Sequence, residues 1–114
     1  MPEKNNKFSE YTKLDVKLVE LKALALAILA KEPANAGALN GLGLVNMRLK
    51  VFDRAVSLFQ RANKIAPEQA EYSNNLIKSL RHLSQNMYEL ERLPEAIELL
   101  RQALSIKPND LRIL

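Results

Sequence analysis

The chain contains no cysteine. This removes disulfides, thiolate metal ligands and thiol nucleophiles together, and it suits a reducing compartment such as the cytoplasm. Histidine is nearly as scarce: His82 stands alone beside Arg81, with Lys78 one turn earlier. No cysteine or second histidine accompanies it at metal-ligand spacing, so no metal, cofactor or catalytic centre is expected. The three glycines, Gly37, Gly41 and Gly43, include a G-x-G pair. No strand pattern precedes that pair and no third glycine follows it, so close helix packing explains it better than a phosphate loop. Long apolar runs are also missing. Ala23–Ala30 is the most apolar stretch, far short of the roughly 20 residues needed to span a membrane. The first 13 residues are polar and include Glu3 and Glu10, unlike a signal peptide.

Charge of one sign dominates only weakly. Seventeen Lys and Arg stand against thirteen Asp and Glu, a formal net charge of +4. The basic residues are interleaved with acidic ones and not with exposed aromatics, which argues against nucleic-acid binding. Hydrophobic residues make up 47% of the 114, enough apolar surface for one folded domain. Leu, Ala, Lys, Glu, Arg and Asn dominate, and runs of β-branched or aromatic residues are absent, so the expected class is all-α.

The helices follow from apolar steps of three and four. Tyr11, Leu14, Leu18, Leu21, Ala25 and Ile28 predict a helix over 12–31 behind a flexible tail at 1–11. Pro33 ends it. Asn35 is placed to cap a second helix over 36–49. A third covers about 53–66, with Ala55, Leu58, Phe59, Ala62 and Ile65 on one face. Tyr72, Leu76, Leu80, Leu83, Met87 and Leu90 predict a long fourth helix over 68–90; a break at Ser84-Gln85-Asn86 is the alternative. Pro94 suits the first turn of a fifth helix, buried through Ala96, Leu99, Leu100, Ala103, Leu104 and Ile106. Asn109 or Asp110 can cap a sixth helix that has barely begun at Leu114.

Three helix ends repeat: Leu29-Ala-Lys-Glu-Pro33, Asn63-Lys-Ile-Ala-Pro67 and Leu104-Ser-Ile-Lys-Pro108. Pro33 and Pro67 are 34 residues apart, and Pro67 and Pro108 are 41 apart. The extra seven residues are about two helical turns, an insertion that keeps an apolar stripe on the same side.

These features resemble the tetratricopeptide repeat, whose 34-residue unit carries a large residue and Leu-Gly in its first helix, small–bulky–small residues in its second, and a closing proline. Leu39, Leu42-Gly43, Ala55, Phe59, Ala62 and Pro67 take those places in Ala36–Gln69. In the next unit Leu76, Ala96, Leu100, Ala103 and Pro108 match, but Ile77 stands where a small residue is usual. Leu14–Pro33 resembles only the closing helix of a unit. The resemblance implies an α-α superhelix of antiparallel helix pairs, with five full helices and a short C-terminal one. The units are 34–69 and an expanded 70–109, behind the N-terminal helix 12–33, with 110–114 beginning a further helix or cap.

It also implies a protein-binding scaffold without catalytic activity. The groove-facing residues would be Asn40, Gly41, Leu44, Met47 and Arg48 in the first unit. In the second they would be Glu71, Asn74, Asn75, Lys78, Arg81 and His82. Asn40 and Asn74, 34 apart, would stack on adjacent helices and hold a peptide backbone through their carboxamides. Lys78, Arg81 and His82 share one helix face and would attract an acidic side chain or a carboxylate terminus. A family clamp for a terminal carboxylate spreads over three units and is not matched here. Two other roles fit the abrupt end at Leu114: an N-terminal regulatory or recruiting domain of a larger glycosyl- or sulfotransferase-like enzyme, or self-association through exposed terminal helices.

Overall fold

The computed structural model describes the backbone of residues 2–107 and the side chains of residues 15–107. It is a succession of five helices: α1 Pro2–Lys31, α2 Ala36–Arg48, α3 Phe52–Ile65, α4 Ala70–Glu89 and α5 Leu93–Ile106. Each packs against the next in chain order. The expected sixth helix and its cap at Asn109 or Asp110 lie outside the described residues.

The first helix begins at Pro2, ten residues before the position set by its apolar spacing. Apolar periodicity marks only the part of a helix that has something to pack against. The preceding stretch holds no internal proline, and Pro2 occupies a position where its missing N–H costs nothing. Asn35 caps α2 as its type predicts, its Oδ1 accepting from the Ala38 N–H at 2.9 Å. The same side chain donates to Glu32 Oε2 at 2.8 Å, tying the cap to the end of α1.

The fourth helix is continuous through Ser84-Gln85-Asn86. It has 20 residues where α2 has 13, so the seven-residue insertion lies inside it. The turns after α2 and α4 are the same. Lys50 and Glu91, 41 residues apart, both have φ of 60°. Lys50 N–H donates to Met47 O and Val51 N–H to Asn46 O; Glu91 N–H donates to Tyr88 O and Arg92 N–H to Met87 O. Both sets satisfy the last carbonyls of a helix through a left-handed residue just past its end.

Counting back from those turns explains Ile77. Gly43 lies seven residues before Lys50, and the residue seven before Glu91 is Ser84, not Ile77. Ser84 is buried, and its Oγ donates to Ala96 O on α5 at 2.9 Å. The small residue of the expanded unit is therefore present, displaced by the insertion. Ile77 is freed to enter the core beside Ala55, Val56, Phe59, Leu76, Leu80 and Ala103. Leu21 and Ile65, expected on buried faces, are largely exposed, while Val56, outside the expected stripe, is buried.

Candidate functional site

Phe52 opens α3 and stacks face to face on His82 of α4, with ring centroids 4.9 Å apart and planes 8° from parallel. This contact closes one side of a cleft of about 780 Å³. α1 contributes Lys17, Leu18 and Leu21 to it. α2 contributes Leu44, Val45, Met47 and Arg48, and α4 contributes Asn75, Lys78 and His82. Lys50 from the α2–α3 turn completes the rim, with Phe52 and Phe59 behind. Leu18, Leu21, Leu44, Met47 and Phe52 make much of the lining apolar. Four cations, Lys17, Arg48, Lys50 and Lys78, also line it, and among the described residues no carboxylate does.

Six of the eleven candidate residues meet here: Leu44, Met47, Arg48, Asn75, Lys78 and His82. Gly41 has open space around it and Glu71 accepts from Asn40; Asn40, Asn74 and Arg81 are placed differently. Asn40 is only 6% exposed. Its Nδ2 donates to Glu71 Oε1 at 3.3 Å, and its Oδ1 accepts from Asn75 Nδ2 at 2.9 Å. Its carboxamide joins α2 to α4 and is not open to a partner. The 34-residue register expected to bring it to Asn74 is therefore off by one position. Asn74 turns away and accepts from Lys107 Nζ at the end of α5. Arg81 lines a second hollow with Asn74, Asn75, Ile77 and Lys78, so Asn75 and Lys78 border both. Of the expected Lys78–Arg81–His82 cluster, Lys78 and His82 line the cleft, while Arg81 lies outside its lining but near enough for its charge to act on His82. Lys17, Lys50 and Phe52 were not candidates. They come from other elements, and only the folded arrangement brings them to α4.

His82 has its pKa lowered, first by partial burial and then by the nearby charges of Arg81 and Lys78. All three effects disfavour the imidazolium. Near neutral pH the ring is uncharged, and it can stack on Phe52 without bringing a fifth positive charge to the cleft.

Among the described residues there is no cluster of three or more His, Cys, Asp or Glu able to hold a metal ion. No helix among them is long and apolar enough to cross a membrane. Comparison with protein families gives a match to the family described as Tetratricopeptide repeat over residues 35–109. Comparison with curated proteins gives no match.

Proposed function

The chain belongs to the tetratricopeptide repeat family, whose repeats are in general protein–protein interaction modules, and on that basis we propose that the cleft between α1, α2 and α4 binds an acidic segment of a partner protein. The observation that carries this reading is the lining itself: apolar side chains with four cations and, among the described residues, no acid. An apolar surface favours burial of a partner's side chains. A rim of one sign selects partners of the other and speeds their encounter. Asn75 offers a carboxamide at the edge, with one N–H already engaged by Asn40.

The test is a binding titration, by fluorescence anisotropy, of a partner first recovered by affinity capture. Arg48→Glu with Lys78→Glu weakens binding by about tenfold or more, as expected for reversing two contacting charges. Arg81→Glu, outside the cleft lining, has a smaller effect. Raising salt from 0.05 to 0.5 M, chosen to shorten the screening length to a few ångströms, weakens the wild-type complex. Equal binding by the Arg48/Lys78 variant and the wild type would overturn the reading.

A further inference from the structure

The internal repeat assigns a place to one helix that the described residues do not supply. A step of 34 residues carries α2 onto α4, since they start at Ala36 and Ala70. The same step carries the end of α1 onto α3. α3 packs between α2 and α4, and there Ala55 and Ala62 are fully buried and Leu58 is half-buried. Their counterparts one step earlier are Leu21, Leu24 and Ile28. Leu21 is 55% exposed and Leu24 60%.

The matching side of α2 is equally bare. On α4, Glu71 and Asn75 bond to Asn40 of α2, and Lys78 and His82 line the cleft with Leu44 and Met47. One step earlier these positions are Gly37, Gly41, Leu44 and Arg48. Leu44 is 43% exposed, and a Cβ added at Gly41 would meet nothing within 4 Å. Exposed Leu21 and Leu24 of α1 and Leu44 of α2 thus border the place where the repeat would set a further helix. α1 itself runs on as helix to Pro2 and does not turn back into it.

We propose that this place takes an amphipathic α-helix of a partner protein, lying parallel to α2 with its apolar face on Leu21, Leu24 and Leu44. The inference rests on the reading of the cleft as a binding surface and adds the conformation and polarity of what binds. Charge sets the direction. Lys17 and Arg48 line the same cleft, at the end reached by the C-terminus of a helix parallel to α2. The negative end of the helix dipole and acidic residues in its last turn meet cations there. The apolar contact is the helix-in-groove mode, read through anchors at i, i+3, i+4 and i+7.

The probe is a labelled peptide of about 14 residues, roughly 21 Å as a helix. It carries Leu and Ala at those anchor positions, Glu in the last turn, and a side-chain staple on its outer face. The expected result is saturable binding, at least tenfold tighter for the stapled peptide than for its unstapled or scrambled forms. Gly41→Leu fills the empty place and abolishes binding while circular dichroism and thermal stability are retained. Leu24→Glu, at an exposed position, weakens binding at least tenfold and serves if Gly41→Leu perturbs the fold. Equal binding of stapled and scrambled peptides, or no effect of either substitution, overturns the proposal. If the protein forms a concentration-dependent dimer that Gly41→Leu dissociates, a second copy fills that place and the proposal also fails. If partner binding is lost in Arg48→Glu/Lys78→Glu but unchanged in Gly41→Leu, the cleft reading stands and the helical occupant is excluded.

Discussion

Gly43 and Phe59 are in such close contact that no other residue fits at position 43 without movement. A Cβ there would lie 2.5 Å from Phe59 Cε1 and 2.8 Å from Cδ1. Phe59 is fully buried and belongs to the core of α3, α4 and α5, so its ring has little freedom to retreat. Gly43→Ala therefore lowers stability by roughly 1–3 kcal/mol, the usual cost of overpacking. Gly41→Ala, two residues away with open space around it, raises stability by up to about 1 kcal/mol through helix propensity. Denaturant unfolding of the two variants against wild type gives both signs, and a stable Gly43→Ala would show that this contact does not limit the α2–α3 spacing.

Lys50 and Glu91 hold left-handed backbone without being glycine. Lys50→Gly and Glu91→Gly relieve that conformation and each stabilise the fold by roughly 0.5–1 kcal/mol, after the greater unfolded-state entropy of glycine is counted. Thermal unfolding of each variant against wild type checks this.

Asn40 and Asn75 form the polar tie between α2 and α4. Asn75→Ala leaves the buried Asn40 Oδ1 without its donor and costs about 1–3 kcal/mol. Arg81→Ala, at an exposed position without a bond of this kind, stays within about 0.5 kcal/mol of wild type. A chemical denaturation series separates them, and equal stabilities would remove the structural role of the tie.

His82 is the single histidine, so its ring signals can be followed by NMR without assignment of others. Its pKa in the folded protein lies below 6.5 because of burial, Arg81 and Lys78. The unfolded chain takes up a proton as pH falls through 6.5, while the folded protein does so only at lower pH. The unfolded state binds more protons in that window, so stability falls as pH is lowered through it and levels off below the folded pKa. Lys78→Ala and Arg81→Ala each move the ring's titration upward. An acidic partner in the cleft does the same, because it favours the charged ring. A midpoint at or above 6.5 in the free protein would contradict the packing against Phe52.

Much of the architecture can be read from apolar spacing and helix punctuation. Asn35, Pro94 and the step from Pro33 to Pro67 act within a few residues of themselves, so α2, α3 and α5 begin and end near where those signals place them. The length of α4 was also legible, because seven residues are two whole turns and leave its stripe unbroken. The start of α1 was not, because the sequence of residues 2–10 is mostly polar and carries no apolar period to detect. The part played by Ile77 was misread for a related reason. Counting from the proline behind it gives a misfit, whereas counting from the turn ahead finds Ser84 in the small place.

The candidate site was legible in its residue types and only partly in its geometry. The order of residues along the chain determined which helices exist, their repeat and their family, since those depend on neighbours three, four and 34 positions away. It placed Leu44, Met47, Arg48, Asn75, Lys78 and His82 on helices that could share a cleft. Only the tertiary structure decided that Asn40 bonds to Asn75 and Glu71, that Arg81 lies outside the cleft lining, and that Lys17, Lys50 and Phe52 complete it. The physical reason is that side-chain partners across a helix interface depend on rotation and offset of whole helices. A shift of one residue turns a helical side chain by about 100°, enough to exchange a buried hydrogen bond for an open face.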